Sequence, residues 1–110
     1  MVHVSISSNG FDSELFFQAL ADRTRLRLIN LIDGDEVCVC FFVEVLGTNQ
    51  PKISRHLAYL KRAGLVTTRR EGNWMHYRLA QIPDERAGKL FSEVLDFISK
   101  DPEMLSDRER

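Results

Sequence analysis

Residues 48–64, TNQPKISRHLAYLKRAG, carry a complete set of helix signals in one stretch. Thr48 or Asn49 supplies a cap. Pro51 falls in the first turn, where its missing N–H is no loss. Ile53, Leu57 and Leu60 recur at i, i+4 and i+7 and draw one apolar stripe. Gly64 ends it. The next residues, LVTTRREGNWMHYRLA, change to alternation, and Glu71-Gly72-Asn73 marks a turn between two strands. On the second strand Met75, Tyr77 and Leu79 share one face, while Trp74, His76 and Arg78 share the other. A strongly signalled helix followed at once by a hairpin leaves few folds open.

The flanking segments narrow the choice. FDSELFFQAL opens with Asp12 and Ser13 as cap candidates, followed by Leu15, Phe16, Ala19 and Leu20 at helical spacing. Asp22 caps a second helix, RTRLRLINLI, with Leu26, Leu28, Ile29 and Ile32 on its apolar face. DGDE reads as a turn and VCVC as a short extended segment. FFVEVLG reads as a short helix ended by Gly47. After Pro83, DERAGKLFSEVLDFISK returns to helix. The expected fold is mainly α with a β-hairpin wing, in the order α-α-(β)-α-α-β-β-α. Residues 41–47 and 51–63 would be the two helices of a winged helix-turn-helix. A chain of 110 residues makes one such domain and gains from dimerisation. Residues 1–10 and 101–110 are expected as flexible tails.

Charge points to a partner. Between residues 50 and 78 stand Lys52, Arg55, Lys61, Arg62, Arg69, Arg70 and Arg78 against the single acid Glu71. This local balance of +6 is hidden in a formal net charge of −1, so the remainder is acidic. A basic segment in an acidic chain is the footprint expected for a local anionic partner, with nucleic acid first on the list, and the winged helix-turn-helix makes that partner double-stranded DNA. With Ile53, Leu57 and Leu60 inward, the outward positions of the second motif helix become Lys52, Arg55, His56 and Tyr59. Gln50 and Ser54 stand at its base-proximal end. Arg69, Arg70 and Asn73 crowd the hairpin tip, where a wing touches backbone or minor groove. His56 also fits a plain surface role, and His76 a cross-strand pair without DNA contact.

The chain has two cysteines, Cys38 and Cys40. Residues i and i+2 point the same way in an extended segment but lie roughly 200° apart on a helix. The pair can chelate one atom only if VCVC is extended or the start of the following helix unwinds. Two cysteines are too few for a disulfide framework. No run approaches the roughly 20 apolar residues of a membrane span, and no basic-then-apolar leader opens the chain. A cytoplasmic protein with reduced thiols and no membrane partner is expected.

The stretches LADRTRLRLINLI, EVCVC, QPKISRHLAYLKRAGLV and REGNWMHYRL resemble the ArsR/SmtB family of metal-responsive bacterial repressors, over roughly residues 15 to 80. The likeness is closest to the arsenical-resistance repressors, in which a CVC box leads the first motif helix. The resemblance implies a repressor of a resistance operon, relieved when trivalent arsenic or antimony binds Cys38 and Cys40, with no organic cofactor. It also implies a homodimer through the first and last helices, here Leu15, Phe16, Leu20, Leu90, Phe91, Val94, Leu95 and Ile98. Two-fold symmetry then calls for an inverted-repeat operator. Many arsenical repressors carry a third cysteine three residues after the second, following an Asp. This chain has Val43 and Phe41 there. Water, hydroxide, a small thiol or a methyl group already on arsenic would complete the pyramid.

Other readings remain at this point. The repressor could answer methylarsenite or another thiophilic metal. The chain could be a DNA-binding protein without a ligand, or a thiol enzyme, against which Glu36 and Glu44 argue by their charge. The cysteines could be buried hydrophobes or a redox pair. Zinc needs four ligands, residues 84–100 contain no histidine, and residues 1–37 no cysteine, leaving His3 as an isolated candidate.

Overall fold

The computed structural model describes residues 10–32 and 34–110. Two short helices come first, α1 (Ser13–Leu20) and α2 (Arg23–Leu31). Each begins on an aspartate that accepts an orphan amide, Asp12 from Leu15 and Asp22 from Arg25, both at 3.0 Å. Strand β1 (Val37–Cys38) leads directly into α3 (Val39–Leu46), and a tight turn leads to α4 (Gln50–Arg62). In that turn Gly47 takes the left-handed conformation at φ 67° and closes α3 on the Val43 carbonyl. Asn49 then caps α4 by accepting the Lys52 amide at 2.9 Å.

Strands β2 (Val66–Glu71) and β3 (Trp74–Leu79) form the hairpin. Glu71 pairs with Trp74, so only Gly72 and Asn73 make the turn, with Gly72 at φ 61°. A positive φ at the first of two loop residues suits the twist of a hairpin and favours glycine. The sheet has the order β1-β3-β2 and is antiparallel throughout. Leu28, Ile29, Phe42, Ile53, Leu57, Leu60 and Leu65 are fully buried, so the stripe of α4 closes onto α2, α3 and the start of the hairpin. No helix among the described residues is long and apolar enough to cross a membrane.

The winged helix-turn-helix order holds, with three differences from expectation. First, the extended segment is two residues long rather than four. Val39 is buried as the first residue of α3, and Cys38 serves as its N-cap in β geometry.

Second, the C-terminal residues expected as a frayed tail form a sixth helix. After α5 (Glu85–Ile98), α6 (Pro102–Arg108) starts on Asp101 with proline in its first turn, the same signal that opens α4. It packs on α2 through Met104 and Asp107, each 1% exposed. Arg27 meets Asp107 through two bonds, Nε to Oδ2 at 2.8 Å and Nη2 to Oδ1 at 2.9 Å. Asn30 donates to the Met104 carbonyl at 3.0 Å, and Arg110 reaches the Val45 carbonyl of α3 at 2.8 Å. The other expected tail falls mainly on residues 1–9, which lie outside the described residues, as does His3.

Third, Phe16, Phe91 and Ile98, expected at a dimer surface, belong to the interior of the single chain. The rings of Phe16 and Phe91 meet edge to face at 6.1 Å and join α1 to α5. The same two helices turn Phe17, Leu90 and Phe97 outward, and Phe97 is 82% exposed.

Candidate functional site

Helix α4 presents Gln50, Lys52 and Arg55 to solvent, with Ser54 half-buried beside them. The side chains of Lys52 and Arg55 form no ion pair among the described residues. They are available cations on the predicted reading face. Lys61 is turned toward the hairpin, where it donates to the Thr68 hydroxyl at 3.1 Å.

His56 and Tyr59 do not reach outward as the helical projection suggests. Both sit on the flank of α4 against Arg25 of α2. The Arg25 guanidinium donates to the Ala19 carbonyl at 2.7 Å and the Gln18 carbonyl at 3.1 Å, at the C-terminal end of α1 where a cation is favoured. Its Nη1 lies 3.2 Å from His56 Nδ1, and its centre lies 4.1 Å above the Tyr59 ring. Arg62 stacks on the same ring at 4.7 Å. Burial pushes the His56 imidazole below its ordinary pKa, opposed by Asp22 and reinforced by Arg25, Lys52 and Arg55. A neutral imidazole can accept from Arg25, so this flank works as a brace for α4. Sequence reasoning missed Arg25 and Arg62 in this role, because nothing local links residue 25 to residue 59.

On the wing, Arg70 and Asn73 are exposed at or beside the turn. Arg69 is not free. The Glu36 carboxylate takes its Nε at 3.0 and 2.9 Å and its Nη2 at 2.7 Å, and Glu71 adds a contact at 3.3 Å. These hydrogen bonds raise the Arg69 guanidinium further above its usual range and hold Glu36 below the ordinary carboxylate range. Glu36 was missed as a partner because the pair spans three strands of a sheet whose edge strand is only two residues long.

The thiols come together without the helix unwinding. Cys38 ends β1 and caps α3, with its Sγ accepting the Cys40 amide at 3.4 Å. The Cys40 thiol points at the same sulfur, with Sγ to Sγ at 2.7 Å, closer than unbonded thiols ordinarily approach. The strand-or-unwound-helix alternative is therefore replaced by a third geometry: a cap residue in extended conformation facing the second residue of the helix. Cys40 is exposed and Cys38 half-buried, so the pair opens to solvent. The bond to Cys38 and burial push the Cys40 thiol up in pKa.

Val43, one turn beyond Cys40, packs against the core. Cys38 stands opposite His76 in the β1–β3 pairing, while His76 Nε2 lies 3.6 Å from Glu71. Among the described residues no group of three His, Cys, Asp or Glu side chains is arranged to hold a metal ion. Two sulfurs on one exposed point suit a soft centre that needs only two protein ligands.

Comparison with known proteins covers the same elements. The family described as bacterial regulatory protein, arsR family, matches residues 22–68, from α2 through both cysteines and α4 into β2. The arsenical resistance operon repressor of Escherichia coli is 45% identical over 79 residues, 71% of this chain and 68% of that protein. The arsenic resistance transcriptional regulator ArsR1 of Pseudomonas putida is 50% identical over 66 residues, 59% of this chain but only 52% of its own length. Among solved structures, the homodimeric winged helix-turn-helix DNA-binding domain of a possible ArsR-family regulator from Mycobacterium bovis superposes with a TM-score of 0.65. It is 31% identical and covers 82% of this chain and 81% of that one.

Proposed function

Because the chain belongs to the ArsR family of bacterial regulatory proteins, we propose that it is a homodimeric DNA-binding repressor of an arsenical-resistance operon, released when trivalent arsenic or antimony is held by Cys38 and Cys40. The named relatives are regulators rather than enzymes, and the thiol-enzyme reading falls away. The observation that carries the proposal is the convergence of two thiols on the N-cap of α3, the helix that hands over to α4 through Gly47.

A trivalent arsenic or antimony hydroxide supplies a thiophilic centre that exchanges hydroxide for sulfur, the thiol protons leaving in water. The chain supplies the rest. Cys38 is shared between the edge strand of the wing sheet and the start of α3, so a change at its sulfur acts on both. Residues Gln50, Lys52, Ser54 and Arg55 of α4 meet the operator bases and nearby phosphates, and Arg70 and Asn73 meet the backbone beside the wing. Two copies joined through α1 and α5 read an inverted repeat with half-sites about 34 Å apart.

One observation favours a methylated arsenical as inducer. Among the described residues no third metal-holding side chain joins the two sulfurs, and the half-buried Val43, at the third position, is apolar and rests against the core. A monomethyl arsenic(III) species brings its own third substituent.

The test is displacement of a fluorescent operator by arsenite, methylarsenite, antimonite, zinc and cadmium. Wild type is expected to release with the arsenicals and antimonite. Cys38→Ser and Cys40→Ser are expected to bind operator with near-normal affinity and not release. Full release from Cys40→Ser at the wild-type arsenite concentration refutes the two-thiolate site. In the same assay Arg55→Ala is expected to cost about 1–3 kcal/mol if Arg55 reads a base edge.

A further inference from the structure

The Glu36–Arg69 clasp has no place in a simple account of the reading face. Arg69 stands on the wing beside the exposed Arg70, on the strand of a predicted DNA contact. Its guanidinium fork is nevertheless filled by both oxygens of Glu36. The pair is solvent-exposed on the arginine side, and pairs of that kind add little to folding. Fold stability is a poor reason for holding a wing arginine this way.

Two geometric facts give a better one. An arginine bound bidentately by a carboxylate cannot offer the same fork to a phosphate, because both anions use the same donors. Glu36 is also only two residues before Cys38, on the segment that enters edge strand β1. The carboxylate therefore stands where the thiol segment puts it. In this structure the converged thiols and the filled clasp occur together.

We propose that Glu36 is a positioning residue for Arg69: it competes with the DNA backbone for the guanidinium, and closure of the Cys38–Cys40 pair strengthens its hold. This deepens the metalloid-responsive reading and rests on it for the second half. When the segment shifts, Arg69 is released to a phosphate. When the thiols close, the wing loses one cation to an internal partner.

A double-variant cycle tests this. Operator affinity of wild type, Glu36→Gln, Arg69→Ala and the double variant is measured over a salt series without metalloid, and each is then titrated with arsenite. Circular dichroism checks that all four are folded, and Glu36→Ala repeats the comparison without an amide. Glu36→Gln is expected to tighten operator binding by about fivefold. It is expected to steepen the dependence of log affinity on log salt by about one, the mark of one more phosphate contact. It is also expected to need more arsenite for release. All three effects are expected to vanish in the Arg69→Ala background. Equal tightening in both backgrounds would make Glu36 a general negative charge near DNA and overturn the proposal, as would an unchanged affinity and salt slope. If the metalloid-free cycle is non-additive but arsenite fails to release wild type, Glu36 still positions Arg69 and the inducer assignment is what fails.

Discussion

Cys38 stands opposite His76 in the antiparallel pairing of β1 with β3, so the thiol segment is itself the third strand of the wing sheet. A ligand on that sulfur is one hydrogen-bonded strand away from the hairpin and is directly joined to α3. Strand and helix are fixed at the same residue, so the proposed release needs no long path from sulfur to wing or helix.

Hydrogen exchange can follow this junction. Arsenite is expected to slow exchange of the Val37, Cys38, His76 and Tyr77 amides while leaving the middle of α5 unchanged. Thiol closure fixes β1 against β3, and locally opening segments lose protection first. Unchanged exchange at residues 76 and 77 on saturation with arsenite would disconnect the thiols from the wing.

Adding a third sulfur should tune the inducer. Val43 lies on the same face of α3 as Cys40, one turn on. Val43→Cys is expected to lower the arsenite concentration needed for operator release and to help methylarsenite less. Val43 packs against the core, and the smaller side chain should cost about 1 kcal/mol of stability. Equal gains for both arsenicals would show that the new sulfur is not a ligand.

The two phenylalanines of α5 should separate folding from assembly. Phe97 is 82% exposed and Phe91 only 4%. Phe97→Ser is expected to leave the single chain folded and weaken dimerisation by about 2 kcal/mol or more, read by sedimentation across a concentration series. Phe91→Ser is expected to lower unfolding stability by about 3–5 kcal/mol. A dimer of unchanged affinity in Phe97→Ser would place the interface elsewhere.

Helix α6 should be measurable in the stability of the whole domain. Asp107 is 1% exposed and holds Arg27 by two hydrogen bonds. Asp107→Ala strips a poorly solvated guanidinium of both hydrogen bonds, leaving it only the half-exposed Glu103 carboxylate at 3.5 Å, and is expected to cost about 3 kcal/mol in urea unfolding. A change below about 0.5 kcal/mol would mean that α6 is a bystander.

The sequence is informative where local rules act alone. Asp12, Asp22, Asn49 and Asp84 all cap the helices that follow them, and Gly47, Gly64 and Gly72 all take positive φ. The buried stripe of Ile53, Leu57 and Leu60 is the one that the spacing predicts. What it hides are choices between adjacent residues and pairings between distant ones. In the run Phe16-Phe17 only one ring can face the core, and packing against Phe91 decides which. The same ambiguity exchanged Ile98 for Phe97 at the outer face. The polar composition of DPEMLSDRER concealed a helix whose two inward residues are matched by Arg27 and Asn30, more than seventy positions away. At the site both thiols were legible, but not their geometry, because a cysteine acting as an N-cap satisfies neither the strand rule nor the helix rule.

That cap sets an evolutionary tension. Sulfur accepts the Cys40 amide at 3.4 Å, a long and weak bond at a position where serine is among the preferred residues. A serine at residue 38 would start α3 more firmly and could raise the melting temperature while silencing the response. A screen for thermostability alone would therefore drift toward a tight, deaf repressor.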